Sequence, residues 1–283
     1  MTSQPTVSRL HPLSRTYLPL PPFEMRQLVG PTEPAFFDNL AGAAVAPDIS
    51  PDLYESVLDF GCGCGRLARQ LLQQDPMPRR YLGIDLHRGM IEWCQRELTA
   101  ICPSFQFRHH DVFNPGFNPG AGKPMQARFP AADHSFKLIF AWSVFTHILE
   151  DQAGFYLGEA RRVLESGGLL VSTWFLFDRR YFPMLQHSQN ALYINPDDPT
   201  NAVIFDRVWL EATLAANGLG VVHATPPAVR GYHWLLHIAP LASGHPVIPL
   251  PRDDAPFGHS APPVIPTNPA LIGLNKASLR CAG

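Results

Sequence analysis

The chain of 283 residues carries 22 Lys and Arg against 24 Asp and Glu, a formal charge of −2, and is 46% apolar. That is enough for one large α/β domain with embellishments, and no basic run is present to neutralise a phosphate backbone, which counts against a nucleic-acid partner. No apolar run approaches the ~20 residues that span a bilayer; Met1 to Leu10 lack a signal-peptide core, and Cys62, Cys64, Cys94, Cys102 and Cys281 form no disulfide framework, so no membrane partner and a reduced, cytoplasmic setting are expected.

Residues 1–54 read as an N-terminal extension. Prolines at 5, 12, 19, 21 and 22 keep its start extended. Phe23, Met25 and Leu28, then Phe36, Phe37 and Leu40, suggest one or two short helices that cap either the core or the carboxyl edge of a sheet.

Strand one, about 55–60, ends in Asp59-Phe60-Gly61-Cys62-Gly63-Cys64-Gly65, with glycine at every second position, and a helix follows from Arg66 to about Gln74. A strand that stops in such a loop lets the backbone approach a ligand, because glycine tolerates positive φ and has no Cβ. The first N–H groups of the helix are unpaired and point the same way. A dinucleotide fingerprint would require a third glycine at position 66, where Arg66 stands, and the Gly-Lys-Ser/Thr ending of a phosphate loop is missing. Cys62-x-Cys64 has no matching second pair, so no metal is expected.

Strand two, about 80–85, closes on Asp85. An acid at that point can accept hydrogen bonds from two ribose hydroxyls or can cap the helix that follows. That helix, 87–101, carries Met90, Ile91, Cys94, Leu98 and Ile101 at helical spacing. Strand three is 105–109, the Pro- and Gly-rich stretch 114–132 is a loop, and strand four is 136–142. A helix over 151–164 and a Gly167-Gly168 turn lead into strand five, 169–174. An aromatic-rich insertion at about 175–205 precedes a helix at 207–216, a short strand at Val221-Val222 and a last strand over 232–237. The domain therefore covers 55–239, and 240–283 is a Pro-rich irregular tail. Alternating strands and helices predict an α/β, Rossmann-like parallel sheet with helices on both faces.

Leu58-Asp59-Phe60-Gly61-Cys62-Gly63-Cys64-Gly65 resembles the first motif of class I S-adenosylmethionine-dependent methyltransferases. Arg161-Arg162-Val163-Leu164-Glu165-Ser166-Gly167-Gly168 resembles that family's turn before strand five, with Ser166 where proline is usual. The resemblance covers roughly 55–175 and implies a seven-stranded, mostly parallel sheet whose last strand is antiparallel. It implies S-adenosyl-L-methionine as cofactor, held by Asp59, Gly61, Cys62, Gly63 and Gly65, with Asp85 on the ribose and Asp111 on the adenine amino group. Leu86, Met90 and Val112 would sandwich the adenine, and Trp142 would complete the site at the end of strand four.

Ser143-Val144-Phe145-Thr146-His147-Ile148 follows strand four, where an acceptor would approach. His147 is the candidate base, since imidazole titrates near neutral pH; the same stretch resembles one shared by methyltransferases with different acceptors, which favours a structural histidine. His109 and His110 read as packing or surface residues, and the aromatics of 174–193 as either an acceptor wall or a packed cap. The resemblance implies methyl transfer to an oxygen or nitrogen of a small-molecule acceptor, a specialised metabolite or glycan unit. Alternatives are a non-catalytic S-adenosylmethionine-binding regulator or scaffold, a protein or RNA methyltransferase, and a nicotinamide dehydrogenase.

Overall fold

The structure, a computed structural model, describes residues 17–195, 197–228 and 231–251. The apolar runs form β1 (Ser56–Phe60), β2 (Arg80–Asp85), β3 (Phe105–His109), β4 (Phe136–Ala141) and β5 (Leu164–Phe177), paired in parallel in the order β3-β2-β1-β4-β5. β9 (Trp234–Pro240) adds antiparallel to β5, and β8 (Leu219–Thr225) pairs antiparallel with β9. These make up the seven-stranded sheet that the sequence implies, with the last strand reversed.

Because side chains alternate across a strand, each strand feeds two cores. Leu58, Ile139 and Leu170 pack with α4 (Glu150–Val163) and α5 (Arg207–Ala216) on one face. Val57, Leu138 and Val171 pack with α2 (Arg66–Gln73) and α3 (Arg88–Cys94) on the other. Helices therefore cover both faces, and the carboxyl ends of the strands are left for a site.

Three features go beyond the sequence reading. β5 has 14 residues, not six: the Gly167-Gly168 turn is a bulge within it, so that Phe136 opposes Leu164 while Leu138 opposes Leu169. Its residues 170–174 pair with β9, and 175–177 pair with β7 (Val203–Asp206), which forms a hairpin with β6 (Ala191–Tyr193). The insertion at 175–205 thus supplies two strands that extend the sheet past its carboxyl edge. Their sequence carries no sustained alternation, and only pairing with the end of β5 orders them.

The third feature is at the chain ends. The segments on either side of α1 (Phe23–Leu28) are tied down through Arg69, which donates to the carbonyls of Leu18, Pro19 and Phe37 and pairs with Asp38. At the other end, residues 244–251 form no helix or strand but pack on the core: the Ile248 N–H donates to the Val221 carbonyl at 2.8 Å, and Leu250 is buried. The irregular tail expected from residue 240 therefore begins as packed chain, and 252–283 lie outside the described residues.

Candidate functional site

The glycine loop is held from below by β2. The Gly61 and Cys62 N–H groups donate to the Ile84 carbonyl at 2.8 and 3.1 Å, and the Gly63 N–H donates to Asp85 Oδ2 at 2.8 Å. The other oxygen, Asp85 Oδ1, accepts from the His87 N–H at 2.7 Å. Asp85 is not the helix cap, a role taken by His87, whose side chain accepts from the Met90 N–H; the Asp85 carboxylate anchors the turn before α3 and faces the cavity above the loop. Burial raises its pKa, and the two backbone N–H groups oppose that shift.

Positive φ is required at Gly61 (80°) and Gly63 (53°). A Cβ at Gly63 would lie 2.7 Å from Val29 Cγ1, and one at Gly61 would run into Val144 Cγ2. The loop is thus enclosed by the N-terminal segment and by the stretch after β4. Gly65 also has positive φ, but it faces Leu98 and Cys94 and serves to start α2 rather than to line the cavity.

Above the loop opens a cavity of about 840 Å³, near the top of the usual range for ligand pockets. Asp59, Gly61, Cys62, Gly63, Asp85, Leu86, Met90, Val112 and Trp142 all line it, as do Gln27 to Gly30 of the N-terminal segment. Asp59 is buried, accepts from the Tyr81 hydroxyl at 2.6 Å, and has its pKa raised to about 7, chiefly by burial. The Trp142 indole N–H is buried without a hydrogen-bond partner among the described residues.

Asp111 is the exception. Its side chain is half exposed, pairs with Lys123 at 2.9 Å and accepts from Asn118 Nδ2 at 3.0 Å, and it does not line the cavity. The structure does not bring it into the cavity with the other residues that the resemblance implies. In extended chain neighbouring side chains point to opposite sides; His110 and Val112 face inward, which turns Asp111 out. His110 is a buried member of the wall, with Nε2 2.9 Å from the Tyr156 hydroxyl.

The opposite half of the cavity is built from distant segments. His147 Nδ1 lies 3.0 Å from the Thr200 carbonyl. A carbonyl only accepts, so the proton of the neutral ring sits on Nδ1 and leaves Nε2 as the basic nitrogen. Burial lowers the His147 pKa and keeps it neutral near pH 7. Ser143, at the turn beneath it, adopts φ 55° and donates its N–H to Thr173 Oγ1 at 2.7 Å, a left-handed conformation that non-glycine residues seldom adopt outside special sites. Phe175, Ile194, Ile204, Tyr232 and His233 complete this half. Ser143 heads the Ser143–Ile148 stretch that the sequence singled out for His147, whereas no motif marked His233, which read as part of the last strand.

Among the described residues, no helix is long and apolar enough to cross a membrane, and no group of three His, Cys, Asp or Glu side chains is placed to hold a metal ion. Cys62, Cys64, Cys94 and Cys102 are free and buried.

Residues 57–168 match the model of the methyltransferase domain family. Among solved structures the chain is similar to the O-methyltransferase NcsB1 from neocarzinostatin biosynthesis, at 15% identity over 68% of this chain and 50% of that one, TM-score 0.47. It is similar to the geranyl diphosphate C-methyltransferase from Streptomyces coelicolor A3(2), at 13% over 71% and 73%, TM-score 0.48, and to the [4+2]-cyclase SpnF, at 19% over 60% and 52%, TM-score 0.40. The chain spans about half the length of SpnF and NcsB1. The family match runs from β1 into β5, so this stretch of the chain is a methyltransferase domain, and it coincides with the region whose motifs resemble class I S-adenosylmethionine-dependent methyltransferases.

Proposed function

We propose that the chain transfers a methyl group from S-adenosylmethionine to an oxygen or nitrogen of a small molecule. The observation that carries this is a single cavity joining two unlike halves, a glycine cradle with Asp85 on one side and the His147 wall on the other. The cofactor fits the first half on this chain's own features. The cradle would be filled by any Cβ, Asp85 offers carboxylate oxygens to a diol, and the unpaired Trp142 N–H offers a donor. Asp59, Gly61, Cys62, Gly63, Asp85, Leu86, Met90, Val112 and Trp142 would hold it. When bound, the cofactor supplies an electrophilic methyl group on a sulfonium.

The protein's contribution is alignment of the acceptor and exclusion of water, worth ~7–11 kcal/mol of barrier. For a hydroxyl acceptor, His147 Nε2 takes the proton, and the Thr200 carbonyl, paired with Nδ1–H, steadies the charge that develops on the ring. Incubation with methyl-labelled cofactor and fractionated host metabolites tests this reading. Label should appear in a low-molecular-weight product, and His147→Ala should lower the rate ~10²–10⁴-fold with cofactor affinity unchanged. Retained turnover would remove His147 as the base, and tight cofactor binding with no labelled product in any fraction would favour a non-catalytic binder.

A further inference from the structure

The wall opposite the glycine loop contains an imidazole that the reaction scheme above does not use. His233 precedes β9, lines the cavity and stacks on Phe175, with ring centroids 4.4 Å apart and planes 29° apart. Both ring nitrogens are shielded, and neither has a hydrogen-bond partner among the described residues. A neutral imidazole has one N–H donor and one acceptor nitrogen. Native proteins rarely leave such a pair buried and unmet, and an exception calls for an explanation.

The surroundings narrow what could meet it. Ile148, Ile194 and Ile204 give this half an apolar surface, beside the polar Asp198, Thr200, Asn201 and Tyr232. Arg66, beside the glycine loop, is the only Lys or Arg among the described lining residues, and the acceptor half has Asp198 instead. Among the described residues a phosphate or carboxylate would find no cation in this half and one anion. A hydroxyl is both donor and acceptor, so it suits a neutral imidazole in either tautomer. His147 and His233 line the same cavity, and charge on His147 disfavours charge on His233.

We propose that His233 is an acceptor-binding residue, which hydrogen-bonds the hydroxyl of an uncharged, largely apolar molecule seated among Ile148, Ile194 and Ile204 beside His147. The proposal rests on the methyl-transfer reading and narrows its acceptor to a hydroxyl compound without an anionic group. Phe175 holds the ring of His233 in place by stacking, which lowers the cost of ordering it on binding.

Calorimetric titration of 1-naphthol, naphthalene and 1-naphthyl phosphate, with and without S-adenosylhomocysteine, tests it. The wild-type protein should bind 1-naphthol roughly tenfold more tightly than either of the others, the effect of one or two buried hydrogen bonds. His233→Phe keeps the stacking and removes both nitrogens; its melting temperature and naphthalene affinity should hold while the preference for naphthol disappears. His233→Asn, which retains a donor and an acceptor, should keep part of it. In the 15N-labelled wild-type protein the His233 ring nitrogens should shift with 1-naphthol and not with naphthalene, a readout independent of whether a variant folds. Equal binding of naphthol and naphthalene, tightest binding of the phosphate, an undiminished preference in His233→Phe, or no binding of any probe would each overturn the proposal. Such a result alongside normal S-adenosylhomocysteine binding leaves the methyl-transfer reading intact. Failure of S-adenosylhomocysteine to bind defeats that reading, while the titrations without it still decide the role of His233.

Discussion

The two halves of the cavity are built on opposite plans. The glycine-loop half is local and backbone-made: β1, its loop and the end of β2 are near in sequence, and Asp85 closes the arrangement through N–H groups of Gly63 and His87. The acceptor half is assembled from positions 147, 175, 194–204 and 231–233, which meet only because β5 runs past the sheet edge. In the first half most polar groups already have partners in the protein; in the second, His233 has none among the described residues. A backbone cradle suits a ligand that never varies, and a wall of distant side chains suits one that is chosen.

The sharpest way to break this contrast is at Gly61. Gly61→Ala imposes a left-handed conformation costing ~1–2 kcal/mol and a clash with Val144 of the overpacking kind, ~1–3 kcal/mol. Cofactor affinity should fall ~30-fold or more, and adding Val144→Ala should recover only part, because the φ strain persists. Normal binding by Gly61→Ala would show that the loop is not the rigid cradle described.

Asp85→Ala comes next. Loss of hydrogen bonds to a charged group costs ~1.5–3 kcal/mol of cofactor affinity. The melting temperature without ligand should drop as well, since the carboxylate holds two backbone donors. Reduced affinity with an unchanged melting temperature would mean that Asp85 serves the ligand alone.

The halves also differ in how they titrate. Burial lowers the pKa of His147 and takes that of His233 to about 4, below the unfolded value near 6.5. The unfolded chain binds more protons there, so their contribution is complete above about pH 6.5 and is lost as the pH falls below it, for His233 down to about 4 at up to ~1.4 kcal/mol per pH unit. Asp59 runs the other way: with its pKa raised to about 7, it favours the fold at low pH and weakens it as the pH rises from about 4 to 7. Melting curves across this range should lose part of their acid limb in His233→Phe and part of their neutral limb in Asp59→Asn. If neither variant alters its limb, these groups do not set the pH response.

The smallest effect is expected at Asp111. Its carboxylate is turned toward Lys123, so Asp111→Ala should change S-adenosylhomocysteine affinity by less than about twofold, below the ~0.5 kcal/mol of a weak hydrogen bond. A tenfold loss would restore the adenine contact implied by the family resemblance.

Much of the first half was legible in the sequence because its information is local. Alternating glycines after an apolar run specify a loop with positive φ, and an acid ending the next strand must lie beside it in a parallel sheet. Asp111 shows the limit: the motif placed the right stretch at the edge, but a shift of one residue decides which side chains face inward, and His110 and Val112 do. The second half left no comparable trace. His233 sits in an ordinary strand-like run, and Ser143 is a polar residue whose left-handed backbone no local pattern announces. The hairpin of β6 and β7 is too short and irregular to show a period, and the packing of Leu250 depends on α5, whose Glu211 carboxylate accepts from the Leu250 N–H at 2.7 Å.

The fork at the end of β5 has a mechanical consequence. β9 grips residues 170–174, whereas the hairpin of β6 and β7 is joined to β5 only through 175–177. The hairpin's backbone pairing is thus short while its Val203 and Phe205 side chains are fixed in the main core, so its amides should exchange with solvent before those of β1 and β4. Mutation can change the partly buried Leu192 and Ile204 at less cost to the framework than Val203 or Phe205, so the cavity wall at Ile204 is freer to vary than the core behind it.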